Sequence, residues 1–364
     1  MNNLFTSEPS VDGSLNVDGM LNSSHCRAAL EHYLRSRWRA DSVQLEGISK
    51  LTGGAIQENW GLAAVITGGV WAGRQDLVLR TDASSVVTAS MNRMQEFAVL
   101  KAVCRAGVLV PEPLLLCEDP AIIGRRFYLM RRLPGIAAGH RLVRDPLFED
   151  PARGDALVER LGEELARIHR LEPPLAGLEF LPVPEGGVAA HRITVYRGYL
   201  DALLTPQPLL EWALCWLEDH QPDTKALVLC HTDYRTGNYL VDQGRLSGIL
   251  DWEFASYSDP DEDLGWFCAR CWRFGRLDRE AGGVGTREAF YRGYARESGR
   301  EVDADRIPYW EIMATVRWAL IALQQGQRCF TDRDQALELA LTGHLVAELE
   351  YDILNQIREQ AAPC

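Results

Sequence analysis

The chain of 364 residues has no apolar run long enough to cross a bilayer. Residues 1–24 are rich in Ser, Asn, Asp and Gly and carry neither a basic start nor an apolar stretch, so they are expected as a mobile extension rather than a signal peptide. Nine cysteines without a secretory segment imply reduced thiols and a cytoplasmic protein. Positive charge is also scarce: 38 Lys and Arg stand against 51 Asp and Glu, a formal charge of −13. That field repels nucleic acid, and no basic stripe with interleaved aromatics interrupts it. The G-x-x-x-x-G-K-[ST] signature of a Walker-type nucleotide site is missing, as is any internal repeat. Histidines do not cluster near the carboxylates as a metal-dependent hydrolase would need.

Against these absences stands one dense stretch, His231-Thr232-Asp233-Tyr234-Arg235-Thr236-Gly237-Asn238, followed thirteen residues after Asn238 by Asp251-Trp252-Glu253. Apolar Ala226–Cys230 before it reads as a short buried strand, and Tyr239–Val241 and Leu246–Leu250 read as two more, joined by a Gln243-Gly244 turn. Such strands set two loops side by side, with Asp233 and Asn238 on one and Asp251 at the exit of the other. Mg²⁺ prefers carboxylate and amide oxygens together with phosphate and water, and one Asn, one Asp, a nucleotide and water complete its octahedral shell. The bland alternative is that Asp and Asn are common in turns after strands.

The spacing is that of the protein-kinase pair H-R-D-x-x-x-x-N and D-F-G. With Thr232, Tyr234 and Trp252-Glu253 in place of the kinase letters, the chain resembles the small-molecule branch of that fold, the aminoglycoside phosphotransferase and choline kinase-like family. From about Ser42 to Gln325 it is most similar to the phosphotransferase domains associated with acyl-CoA dehydrogenases. The tract Arg317-Trp-Ala-Leu-Ile-Ala-Leu-Gln-Gln-Gly326 carries part of that likeness. The resemblance implies an α+β, protein-kinase-like two-lobed fold, with a small antiparallel-sheet N-lobe over residues 25–132 and a larger, mainly helical C-lobe over 133–364. It implies Asp233 as the base that orients and deprotonates a substrate hydroxyl, with Asn238 and Asp251 as metal ligands. Supporting roles fall to His231, whose ring is expected on backbone near Asp251, to Glu253, and to Asp263.

The nucleotide half of such a site has candidates upstream. Strands are expected over Val43–Leu51 and Trp60–Ile66, and the loop between them contains Thr52-Gly53-Gly54, whose glycines let backbone N–H groups approach phosphate. An ordinary hairpin turn would look the same. Asp76–Arg80 reads as the third strand and puts Arg80 where protein kinases carry Lys; Arg is permanently charged and bidentate but longer and more rigid. A helix over Val86–Ala106 carries Glu96, either partner to Arg80 or a solvated surface acid. Arg126–Arg132 reads as a strand, and by the resemblance Met130, Arg131, Arg132 and Leu133 meet the adenine ring.

Further helices are expected over Ala156–Arg170, with Asp155 near its start, and over Leu209–His220, Arg287–Ser298, Trp310–Gly326 and Ala336–Gln360. Asp259-Pro260 starts the helix after the metal loop, and its acidic run Asp259, Asp261, Glu262 and Asp263 is either structural or a cation-binding rim. Cys268-Ala269-Arg270-Cys271 lacks the second ligand pair zinc needs and reads as buried or half-buried thiols in an aromatic-rich segment. His191, Arg192, Tyr196 and Arg197 precede the catalytic loop where the family places substrate-facing helices, and would suit an anionic or thioester-linked acceptor unless they form a solvated face.

Together these features point to an ATP- and Mg²⁺-dependent phosphotransferase acting on a small-molecule hydroxyl, aminoglycoside-like or hydroxyacyl-type. GTP remains open as donor, as does the oligomeric state, and neither nucleic acid nor membrane is expected as a partner. The competing reading is a catalytically silent nucleotide-binding scaffold of the same fold, motivated by Arg80 and the incomplete glycine pattern.

Overall fold

A computed structural model describes residues 21, 23–51, 57–82, 90–331 and 337–361. Thr52, Gly53 and Gly54 lie outside the described residues, as do residues 1–20 of the extension. The chain divides into two compact units, Met1–Val87 with Leu114–Arg132, and Thr88–Pro113 with Leu133–Cys364.

The first unit is a helix on a five-stranded sheet. Helix α1 (Ser24–Trp38) starts at Ser23, whose hydroxyl accepts from the Cys26 N–H, and buries Leu30, Leu34 and Trp38 at a four-residue spacing. Strands β1 (Ser42–Leu51), β2 (Gln57–Thr67), β3 (Gly73–Asp82), β4 (Pro113–Cys117) and β5 (Phe127–Arg131) stand in the order β1-β2-β3-β5-β4. The β1–β2, β2–β3 and β3–β5 pairs are antiparallel. Inward residues Leu45, Trp60, Leu62, Leu77, Leu79, Phe127 and Leu129 form the core under α1, which also takes in Leu21. Arg80 sits mid-sheet, opposite Asn59 on one side and Tyr128 on the other.

The second unit opens with α2 (Arg93–Arg105). It begins later than Val86 because Asn92 and Gln95 form a reciprocal capping box at its first turn; residues 83–89 lie outside the described residues. Helix α3 (Pro151–Ile168) begins earlier than Ala156, capped by Asp150 with Pro151 in its first turn. Asp155 serves instead as acceptor for the Thr286 N–H and hydroxyl, at the start of a later helix. Helices α4 (Val188–Asp201) and α5 (Pro208–Asp219) follow, then three-residue β6 (Val228–Cys230) and the hairpin β7 (Tyr239–Asp242) and β8 (Arg245–Ile249). Gln243 and Gly244 turn that hairpin with φ of 48° and 77°, the left-handed pair of a tight two-residue connection. Strand β9 (Ser256–Ser258) pairs antiparallel with β6.

Helix α6 (Pro260–Cys268) is wholly buried. Helix α7 (Arg287–Ser298) packs closely on α3: a Cβ at Gly293 would lie 1.9 Å from the Glu159 carbonyl oxygen, and one at Gly162 would lie 2.2 Å from that of Phe290. Helix α8 (Ile307–Thr331) joins α4 and α5 in an apolar core. The single helix expected over Ala336–Gln360 is two, α9 (Leu337–His344) and α10 (Val346–Ala361). Gly343 lies against Gly326 at the end of α9, and the Leu345 N–H closes a tighter bond to Thr342, which interrupts the helix. Among the described residues no helix is long and apolar enough to cross a membrane.

Candidate active site

The loop after β6 and the loop after β8 are stitched together by backbone and by His231. The Leu250 N–H donates to the Asn238 carbonyl at 2.8 Å, and the Thr232 hydroxyl donates to the Phe254 carbonyl at 2.6 Å. His231 Nδ1 accepts from the Asp233 N–H at 3.2 Å, so its proton sits on Nε2, which donates to the Leu250 carbonyl at 2.8 Å. The ring is thus spent on holding Asp251 beside Asn238, the placement expected for His231. Thr232 and Asp251 both adopt left-handed backbone, with φ of 58° and 67°. Neither is glycine, so each costs about 1–2 kcal/mol and is sustained by the bonds around it.

Asp263, on α6, fixes the start of the His231–Asn238 loop. Its two oxygens accept the N–H groups of His231 and Thr232, each at 2.7 Å, and Oδ2 also meets His169 Nε2 at 3.2 Å. Burial alone would raise this carboxyl, yet its pairing with His169 and the N–H of His231 hold it below the usual carboxylate range. His169, Cys230 and Asp263 bring three donor atoms within 4.8 Å of one another, which invites comparison with a metal site. Their chemistry does not fit one. His169 Nδ1 is bonded to the Tyr294 hydroxyl, both Asp263 oxygens hold backbone, and burial pushes the Cys230 thiol well above its ordinary value, whereas a metal needs thiolate.

Asp233 is 8% exposed and three donors converge on it. Arg235 Nε and Trp266 Nε1 each donate to Oδ1 at 3.1 Å, and Asn238 Nδ2 donates to Oδ2 at 2.6 Å. A carboxylate oxygen offers two lone-pair directions, so Oδ1 is filled while Oδ2 retains one for a further donor. Asn238 Nδ2 also donates to the Asp233 carbonyl at 2.9 Å. The amide nitrogen is therefore committed to Asp233, and Oδ1 of Asn238 turns the other way with no hydrogen-bond donor among the described residues. An amide oxygen so presented fits a hard cation.

Around this centre the acidic run of α6 is neutralised, which speaks against a cation-binding rim. Asp261 pairs with Arg306 at 2.7 Å and Lys225 at 3.2 Å, and Glu262 pairs with Arg192 at 2.9 Å. Arg192 is thereby spent, and Arg197 pairs with Glu218 on the exposed face of α4. Glu253 and Glu96 are both buried, and the cation they share is Arg93, which bonds Glu96 and lies 3.7 Å from Glu253. Sequence reading passed over Arg93, although its i,i+3 spacing to Glu96 was a usable signal. It also passed over Arg235 and Trp266, the two donors to Asp233 Oδ1.

In the first unit, Arg80 is buried and donates to Asn59 Oδ1 at 3.4 Å. Met130 pairs with Val78 and Arg131 with Leu77, and the Arg132 N–H bonds the Asp76 carbonyl at 3.0 Å. Arg131 also donates to Gln75 at 3.3 Å. Leu133 belongs to the second unit, where its side chain packs on Gly248.

A model of the phosphotransferase enzyme family matches residues 57–301, well over half of the chain. The chain belongs to that family. Among this phosphotransferase's relatives, acyl-CoA dehydrogenase family member 10 of Mus musculus is 29% identical over 302 residues, covering 78% of this chain and 27% of that protein. Member 11 of Gallus gallus is 31% identical over 198 residues, covering 53% and 25%. The phosphotransferase thus spans about a quarter of the length of these relatives. A 4-hydroxytryptamine kinase of Psilocybe cubensis is 24% identical over 312 residues, covering 76% and 81%.

Solved structures agree on the fold. An aminoglycoside phosphotransferase-type protein of Ralstonia eutropha superposes with a TM-score of 0.71 at 20% identity, covering 91% of this chain and 98% of its own. Aminoglycoside phosphotransferase APH(4)-Ia, solved with AMP-PNP and hygromycin B, gives 0.58 at 14% identity, covering 92% and 99%. The fold is therefore the protein-kinase-like one that the motif spacing implied, with the sheet in the first unit and the helices mainly in the second.

Proposed function

We propose that the protein is an ATP- and Mg²⁺-dependent phosphotransferase that phosphorylates a hydroxyl of a small molecule in the cytoplasm, with Asp233 as the base. The observation that supports this reading is the loop geometry: Asn238 bonds Asp233, and the Leu250 N–H, beside Asp251, bonds the Asn238 carbonyl, with an acceptor position left on Asp233 Oδ2 and the Asn238 amide oxygen turned outward. Oδ2 receives the proton of the acceptor hydroxyl. The acceptor oxygen bonds the terminal phosphorus of the nucleotide as the bond to the bridging oxygen breaks, releasing the nucleoside diphosphate. Trp266 and Arg235 orient the carboxylate, and His231, Thr232 and Asp263 keep the loop in register.

Asn238 and Asp251 are the residues that would hold Mg²⁺, whose charge neutralises phosphate oxygens as the transfer proceeds. To the nucleotide we assign Arg80 for phosphate, with Glu96 as its supporting acid, the backbone of Met130, Arg131, Arg132 and Leu133 for the base, and the Thr52-Gly53-Gly54 segment. Glu253 supports α2 through Arg93. Relatives of the same fold bound to AMP-PNP and to GDP support a nucleotide donor and leave ATP and GTP as alternatives to be compared directly.

Thermal melting with AMP-PNP and Mg²⁺ tests binding, and formation of nucleoside diphosphate in the presence of hydroxylated acceptors tests transfer. The wild type is expected to melt higher with nucleotide. Asp233→Asn keeps the shape and the nucleotide shift but loses transfer by about a thousandfold or more, as removal of a catalytic base requires. A wild type whose melting ignores nucleotide refutes the reading, and nucleotide binding without any transfer leaves the silent scaffold in its place.

A further inference from the structure

Most of the inward-facing arginines of the second unit are met by a carboxylate: Arg192 by Glu262, Arg287 by Glu311, and Arg306 by Asp259 and Asp261. Arg317 is different. It is half-buried on α8, donates Nη1 to the Thr232 carbonyl, and has no carboxylate partner among the described residues. Its guanidinium lies 4.5 Å from the ring centre of Trp266, the same indole whose N–H holds Asp233 Oδ1 at 3.1 Å. One ring therefore separates an uncompensated cation from the proposed base. Removing a guanidinium partly from water without a counter-ion is costly, in a chain carrying a surplus of acidic residues to supply one.

A second group points the same way. Tyr196 of α4 is 3% exposed and packs in the same apolar cluster as Val316 and Leu320, which flank Arg317 on α8. Burial pushes this phenol up to about 12, and Arg317 is the foremost positive charge opposing that shift. A phenol hydroxyl and a planar cation with spare N–H groups can together receive an anionic oxygen.

Resting on the phosphotransferase reading, we infer that Arg317, assisted by Tyr196, selects alcohols that carry an anionic oxyacid group, a carboxylate or a phosphate ester, and seats that group while the hydroxyl reaches Asp233. A polycationic acceptor would instead meet Arg317 as a repulsive charge. Trp266 serves as platform for the guanidinium and as donor to the base, so recognition and base orientation share one side chain.

The test uses the full chain with Mg²⁺ and nucleotide, and four matched probe series of graded length: ω-hydroxyalkanoates, their methyl esters, the corresponding amino alcohols, and alkanediol monophosphates. Binding is read by tryptophan fluorescence, since Trp266 lies under Arg317, and turnover by nucleoside diphosphate release. One of the two anionic series is expected to bind about tenfold to a hundredfold tighter than the esters and amino alcohols, the range of a charge-assisted bond; which of the two leads identifies the acid. Arg317→Gln is expected to erase that preference, with the loss falling on KM for the anionic probes and little change for the esters. Arg317→Lys, which keeps the charge but not the flat stack on Trp266, retains part of it and covers the case in which the glutamine variant folds poorly.

A uniform fall in kcat for every probe would mean that Arg317 only props the Thr232 loop, and overturns the inference. So does equal or better binding of esters or amino alcohols, or no binding of any probe by a wild type that still responds to nucleotide. A wild type that does not respond to nucleotide overturns the phosphotransferase reading and this inference with it.

Discussion

Replacing Asp263 by Asn tests whether the His231–Asn238 loop is held by that carboxylate. The carboxylate takes two backbone N–H groups at 2.7 Å and His169 at 3.2 Å, with no exposure to water. An amide of the same shape keeps one accepting oxygen and turns a donor towards the other N–H. One buried N–H is left unsatisfied and the pairing with His169 is weakened; at about 1–3 kcal/mol for each lost partner, the cost is about 3 kcal/mol. For a unit of this size that corresponds to a melting point lower by about 6–12 °C.

The sign with pH is fixed by the lowered carboxyl: folding gains from its ionisation above the unfolded-state value of about 4 and loses that gain as pH falls towards the folded value. The gap between wild type and Asp263→Asn is therefore expected in full near neutrality and should shrink below about pH 4. Circular-dichroism melts across that range measure it, with nucleotide shift and transfer followed in parallel. A variant melting within about 2 °C of wild type at neutral pH would refute the reasoning, because it would mean that the loop N–H groups find other acceptors at little cost.

Three further outcomes follow from packing and charge. Arg93→Met withdraws a buried cation from Glu96 and Glu253 and should cost about 3–5 kcal/mol in urea denaturation. Gly293→Ala drives a methyl to 1.9 Å from the Glu159 carbonyl and should destabilise by at least about 1–3 kcal/mol, whereas Gly198→Ala, on an exposed face of α4 with nothing within 4 Å, should stabilise by about 0.5–1 kcal/mol. Opposite signs in the same melting assay check both. Asp251→Ala should abolish the part of the nucleotide shift that depends on added Mg²⁺ and leave the metal-free shift in place, as calorimetric titration would record.

What could be read in advance divides by range along the chain. The position of the His231–Asn238 loop between two strands, the Gln243-Gly244 hairpin and α7 were legible because their determinants are local: a polar cluster between apolar strands, two turn residues, a Thr286 cap and a closing Gly299. The start of α3 was not, because Asp150 and Asp155 offer the same side chain, and only the fold decides that one caps α3 and the other receives Thr286. Trp266 and Arg317 were hidden for a stronger reason. They reach Asp233 and Thr232 across 33 and 85 residues, and nothing in their own neighbourhood distinguishes them from core aromatics and surface cations. The long helix expected at the end of the chain failed because its apolar spacing continues through Gly343, where contact with Gly326 matters more than periodicity.

Tyr234 carries a last implication. Its hydroxyl donates to the Leu161 carbonyl at 2.8 Å, pinning the residue next to Asp233 onto a helix whose Gly162 packs it tightly on α7. The proposed base, mounted so firmly, cannot travel to meet an ill-fitting guest; the guest must bring its oxygen to a fixed point. Displacement of a reacting group by one ångström costs about a hundredfold in rate, so chain length in the acceptor becomes a ruler. Discrimination between homologues differing by one methylene would then arise from rigidity alone, without any pocket wall shaped to exclude the wrong one.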